Sequence, residues 1–118
     1  MTGEPWAGIS SEVLRQRLLA GLGRLTPRSH REYSLTLRTF GDWVFESETA
    51  AELLGLRGEP CPWWEVVANL LPVGAQITNT TVEHFLAETY RGKAAATVAA
   101  RRAAIRWAFR LARADEGK

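Results

Sequence analysis

Residues 94–113 read AAATVAARRAAIRWAFRLAR, twenty positions without a glycine, a proline or an acid. Alanine, leucine and arginine are strong helix formers, so the stretch reads as one long helix. Its projection decides the fold. With Arg102 at the origin and about 100° per residue, Arg113, Arg106 and Arg110 all fall within about 80° of it. Val98, Ile105 and Phe109 fall at about 300–340°, and the apolar arc runs back through Ala108, Ala104 and Leu111 to Trp107 at about 140°. A helix apolar over that much of its circumference needs several neighbours around it. Arg101 falls inside the arc, near 260°, and must snorkel, pair with a carboxylate, or emerge where neighbouring helices end.

The same period recurs upstream. Thr80 and Glu83 form a capping box for a helix with inner face Val82, Phe85, Leu86 and Tyr90, stopped by Gly92. A second helix spans about 27–46, with the stripe Tyr33, Leu37, Phe40 and Val44 widened by Trp43. Its start has two candidate caps: Thr26 with Pro27 at the first helical position, or Ser29 with Glu32 as a capping box. A first helix covers about 10–20, with Ser10 or Ser11 as cap, Leu14 and Leu18 inward, and Gly21 and Gly23 as the stop. The middle holds short helices at 50–54, ended by Gly55, and at 63–71, before Pro72 and Gly74, with RGEPCP at 57–62 as a loop. No stretch alternates as a strand does. The expected class is all-α, a compact bundle of four to five helices forming a single domain.

A chain of 118 residues has room for one core, which can close without disulfides. With 46% apolar and 24% charged residues, it is neither disordered nor fibrous in composition. No apolar run reaches membrane-spanning length, and MTGEPWAGIS lacks a signal pattern. The single Cys61 excludes an intramolecular disulfide and fits a reducing, cytoplasmic compartment. The net charge of +2 conceals a segregation. Residues 1–41 hold six arginines against three acids, residues 42–90 hold Arg57 against eight acids, and residues 91–118 hold eight bases against two acids.

Three partners compete for the arginine stripe. It can be a solvated face complemented by the acidic middle, a membrane-surface face, or a nucleic-acid face. The broad apolar arc disfavours a helix lying flat on a membrane. Four arginines over three turns suit successive phosphates, which guanidinium forks bind bidentately with release of counterions. Arg28, His30 and Arg31 open the second helix, where backbone donors and the dipole favour an anion.

The residues that carry chemistry are few. His30 and His84 have no ligand spacing to each other or to Cys61, so no metal site is expected. Cys61 sits between prolines without a nearby histidine, and Gly21-Leu22-Gly23 is not a phosphate-cradling loop. Tyr33 and Tyr90 lie on apolar stripes and read as core rather than nucleophiles. No catalytic residue and no cofactor is assigned, and the chain is not expected to be an enzyme by itself.

The order of these elements resembles the N-terminal, SAM-like core-binding domain of the tyrosine recombinase and phage integrase family. Leu-Thr-Pro-Arg at 25–28 is followed by Ser29, Tyr33, Leu37, Phe40 and Trp43. Thr80, Val82, Phe85-Leu86 and Gly92 then precede Thr97-Val98, Arg101-Arg102, Ile105-Arg106 and Phe109. The resemblance covers roughly 25–113. It implies a DNA-binding domain that clamps a recombination site in double-stranded DNA, while a separate catalytic domain of the same recombinase, and other recombinase protomers, complete the machine. By position in the pattern, Arg28, Ser29 and Arg31 would hold phosphates at one contact. Lys93, Thr97, Arg101 and Arg102 would do so at another, with Arg106 further along.

Two departures stand out. The segment at about 47–77 is longer than the pattern needs and reads as an extra packing layer, or else as a protein-contact surface. The chain ends at Lys118, about where the family's interdomain linker would begin, so the family's catalytic residues are expected in a further domain. The reading from another class is a helical protein-interaction module using the acidic middle and Trp63-Trp64. A generic helix-turn-helix regulator fits less well, because no short turn joins two compact helices.

Overall fold

The computed structural model describes residues 11–54 and 61–113; Ser10, Gly55, most of the 57–62 loop and Lys118 lie outside them. Six α-helices are present there: α1 (Ser11–Gly23), α2 (Pro27–Glu46), α3 (Glu48–Leu54), α4 (Trp63–Leu70), α5 (Ala75–Thr89) and α6 (Ala95–Arg113). A single 3-10 turn, Leu71–Val73, links α4 to α5, and no strand occurs among the described residues. The fold is an all-α bundle of four long helices and two short ones.

Local chemistry explains most of the boundaries. Thr26 caps α2, its hydroxyl accepting the Ser29 N–H at 3.2 Å, with Pro27 at the first helical position. Glu32 does not complete a capping box; it accepts instead from Arg28 Nε at 3.1 Å. Ser47 joins two helices. Its N–H ends α2 on the Trp43 carbonyl at 2.9 Å, and its hydroxyl accepts the N–H groups of Thr49 and Ala50 at the start of α3.

Two boundaries differ from the sequence reading. α1 runs through Gly21 to Gly23 instead of stopping near residue 20. Gly21 is buried against Trp107 and Leu111 of α6, where a Cβ would collide with the leucine, so this glycine serves close packing and not termination. α5 starts at Ala75, a full turn before Thr80. The break comes at Gly74, whose φ of 102° suits glycine. Thr80 is interior to the helix and its hydroxyl donates to the Gln76 carbonyl at 3.0 Å, so it caps nothing. Thr78 and Thr81 likewise bond backward, to the carbonyls of Leu70 and Ile77.

The core forms around α6 and α4. Ala104, Ala108 and Ala112 recur every fourth residue on α6 and are almost completely buried, so neighbouring helices approach its axis closely. α4 is enclosed on all sides, with Val66, Val67, Ala68, Asn69 and Leu70 all buried. Residues 66–70 are thus part of the core itself. Phe85 lies at the aromatic centre, with ring centroids 5.2 Å from Phe40, 5.6 Å from Trp43 and 5.6 Å from Tyr90. Leu14, Leu18, Leu37, Phe40 and Val44 are buried, as the helical period predicts, while Tyr33 is half-buried and meets the Trp107 ring edge-on at 5.4 Å.

These pairings fix directions. Tyr33 meets Trp107 and Thr36 meets Arg101, so α2 runs antiparallel to α6. Arg102 meets Glu83, while Ala75 and Val82 share a cleft with residues 105–113, so α5 is antiparallel to α6 as well. α1 crosses the C-terminal half of α6, where Arg17 donates to the Ala112 carbonyl at 2.7 Å.

Candidate nucleic-acid interface

Arg102, Arg106, Arg110 and Arg113 of α6 emerge along the edge that faces α5, Arg101 does not, and the five do not share one fate. Arg102 is paired: its Nε lies 2.8 Å from one Glu83 carboxylate oxygen and its Nη2 lies 2.9 Å from the other. This fork holds the Glu83 carboxyl below its usual range, with the charge of Arg106 adding to the effect, and raises Arg102 in return. The carboxylate missing from α6 itself comes from the neighbouring helix.

Arg101 takes another route. It is half-buried, its Nη1 reaches the Thr36 hydroxyl at 3.5 Å, and its guanidinium lies 5.9 Å from the centre of the Tyr90 ring. Its Nε is buried without a hydrogen-bond partner. Of the three outcomes open to an arginine in the apolar arc, the structure selects snorkelling across an aromatic face between α2 and the end of α5.

Arg106 and Arg110 are exposed, and Arg113 lies half-exposed with its guanidinium 5.8 Å from the Phe109 ring centre. None of the three forms an ion pair among the described residues. They rim a cleft of about 560 Å³ between the first half of α5 and the last half of α6. Val82, Ile105 and Phe109 lie beneath it, almost completely buried, and Ala75, Thr78 and Asn79 line the α5 side. Among the described residues, no carboxylate lines it.

The residues expected at the start of α2 are less concentrated. Arg28 is 83% exposed and loosely tied to Glu32, a surface pair of little energetic weight. Arg31 and His30 are exposed. Ser29 spends its backbone N–H on Thr26. At the other set, Lys93 is exposed and Thr97 is half-buried. Because α2 and α6 are antiparallel, Arg28, Ser29 and Arg31 lie toward the C-terminal end of α6, whereas Lys93 and Thr97 lie at its start. The structure therefore brings Arg102 and Arg106 together but keeps the two helix starts well apart.

Other features of the sequence are absorbed by packing. Trp63 and Trp64 are half-buried and meet edge-on at 5.5 Å. Trp63 seats its backbone and Cβ against Gly41, while the Arg15 guanidinium lies 5.5 Å from the Trp64 ring centre. Sequence reasoning missed the role of Glu83, which it placed in a capping box, and the cleft residue Asn79. Arg110 and Arg113 lie on the projected stripe but outside the family pattern, and only the stripe signals them.

No helix among the described residues is long and apolar enough to cross a membrane. Among the same residues, no three His, Cys, Asp or Glu side chains cluster as a metal site would need. No protein-family model matches the chain, and no curated protein or solved structure is significantly similar to it.

Proposed function

We propose that this chain is a duplex-DNA-binding module of the tyrosine recombinase kind, acting in the cytoplasm and holding a recombination site while a separate catalytic domain performs strand exchange. One observation carries the reading: the exposed α6 edge presents Arg106 and Arg110 without carboxylate partners among the described residues. From Arg102 to Arg113 this edge spans about 16 Å along the helix, enough to meet several phosphates. Lys93 near the start of α6, and Arg28 and Arg31 at the start of α2, are further exposed cations available to a phosphate backbone. Such contacts position a protein on DNA, and base reading falls to the few side chains that enter a groove. The recombinase assignment rests on the order and spacing of the residues from Leu25 to Phe109.

The test is fluorescence anisotropy with a labelled duplex at a series of salt concentrations. Binding should weaken steeply with salt, and Arg106→Glu combined with Arg110→Glu should weaken it further and flatten the salt slope by about one unit per removed contact. Absence of binding at low salt and high micromolar protein, or indifference to both substitutions, would overturn the reading.

A further inference from the structure

Arg102 already has a partner, and the way it is held leaves it a use that Arg106 and Arg110 do not share. Glu83 occupies one flank of the guanidinium, accepting from Nε at 2.8 Å and from Nη2 at 2.9 Å. Of the donors a guanidinium carries, Nη2 keeps one and Nη1 keeps both of its own. Nη1 makes no hydrogen bond among the described residues. The outer edge formed by Nη1 and Nη2 therefore remains a two-donor fork, on a side chain that stays 30% exposed. We infer that Arg102, aimed by Glu83, reads a guanine in the major groove instead of holding a phosphate, a role that rests on the duplex binding proposed above.

Charge disfavours a phosphate at this position. The charges of Arg102 and Glu83 cancel, and a phosphate drawn to the guanidinium meets the carboxylate as well. The same fork holds the Glu83 carboxyl below its usual range, so it stays charged at neutral pH. A base edge carries no net charge and escapes that repulsion. In the major groove only guanine presents two adjacent acceptors, O6 and N7, to match a two-donor fork. Adenine sets an acceptor beside a donor, thymine an acceptor beside a methyl group, and cytosine a donor. Glu83 also fixes the plane of the guanidinium before DNA arrives, which lowers the ordering cost of a bidentate contact. Arg106, one turn further along the same edge, is exposed and without an ion pair among the described residues, and suits the backbone contact that sets register. A clamp between α5 and α6 alone would use only the flank bound to Glu83 and would leave sequence preference untouched.

The experiment is selection by the full chain from a duplex library randomised over about ten base pairs, roughly one helical turn, with anisotropy titration of the recovered sequence. A guanine should be enriched at one position, and Arg102→Lys, which keeps the charge but loses the fork, should lose that enrichment. Adenine in place of that guanine should weaken binding by about tenfold. A guanine analogue with carbon in place of N7 should weaken it severalfold, and Arg102→Lys should no longer distinguish either from guanine. Glu83→Gln should bind random duplex more tightly and discriminate less. Arg106→Gln should weaken binding to every sequence and keep the guanine preference. Duplex binding without a guanine preference would overturn the role of Arg102 and leave the duplex-binding reading standing. A preference that survives Arg102→Lys would do the same. So would indifference of the unsubstituted chain to the analogue, a probe that leaves the protein's own fold unaltered. Absence of duplex binding would overturn both.

Discussion

Arg102 of α6 and Glu83 of α5 meet fork to fork, with both carboxylate oxygens accepting guanidinium N–H groups at 2.8 and 2.9 Å. The pair closes one end of the α5–α6 interface and withdraws one arginine from the positive edge. A phosphate arriving at Arg102 must compete with Glu83. Glu83→Gln should therefore raise duplex affinity severalfold and steepen the salt slope by up to about one unit. Its effect on stability should stay below about 1 kcal/mol, because both side chains are substantially exposed. Anisotropy titrations at several salt concentrations check this, and an unchanged slope would exclude Arg102 from contact with phosphate.

The Trp43 indole N–H donates to Glu88 at 2.9 Å, and Ser47 donates to the same oxygen at 3.3 Å. Hydrogen bonds from Thr49, Trp43 and Ser47 hold the Glu88 carboxyl below its ordinary range. A carboxyl lowered in the folded state contributes stability above its unfolded pKa, and that contribution is lost as pH falls through the folded pKa. Glu88→Gln keeps an acceptor for the indole and removes the charge. The variant should melt below the parent at neutral pH, and the gap should close as the pH drops below about 4. Thermal melts across the acid range measure it, and a gap independent of pH would rule out the carboxylate charge as its source.

Gly41 lies where α2 crosses the start of α4. A Cβ there would sit 3.0 Å from the Trp63 Cβ and 3.1 Å from its Cα, and a main-chain atom cannot rotate away. Gly41→Ala should thus be destabilising by about 1–2 kcal/mol despite alanine's better helix propensity. Gly23→Ala meets nothing within 4 Å and should be neutral or stabilising by up to about 1 kcal/mol. Urea unfolding of the two variants separates them, and equal effects would contradict the close approach of α2 and α4.

The Cys61 thiol is pushed up to about 11, first by burial and then by the nearby Glu65 carboxylate. Little thiolate is present near neutral pH, and only the thiolate reacts. Labelling of the folded chain by a thiol reagent at mildly alkaline pH should be slower than labelling of the denatured chain by about two orders of magnitude. Comparable rates would show that the thiol is open to solvent in the folded protein.

Much of the bundle is legible in single segments. α2 was expected at 27–46 and spans Pro27–Glu46, because proline, a threonine cap and a four-three-four apolar stripe all point the same way. The start of α5 was not legible. Residues 75–80 read AQITNT, and its isoleucine and threonines resemble an approach to a cap as much as a first helical turn. The helix starts there because the chain breaks at Gly74, whose carbonyl accepts the Thr78 N–H at 3.1 Å, and because the buried Thr78 hydroxyl is held by the Leu70 carbonyl across the break. Gly21 differs for a related reason: a glycine near a helix end usually marks termination, and only Leu111 and Trp107 across the bundle show that it marks a contact.

The candidate site divides in the same way. The sequence alone determines that Arg102, Arg106, Arg110 and Arg113 share one edge of one helix, since that follows from 3.6 residues per turn and from nothing outside the segment. It determines too that Arg101 stands apart from them. The tertiary structure decides what each guanidinium meets. Arg102 finds Glu83, nineteen residues away, and Arg101 finds Thr36 and Tyr90 on two other elements. Arg106, Arg110 and Arg113 are left to rim a cleft whose other wall is α5. Helical periodicity is set by neighbours a turn apart in the chain. Pairing of charges across helices is set by which faces the core brings together, and no local pattern records that.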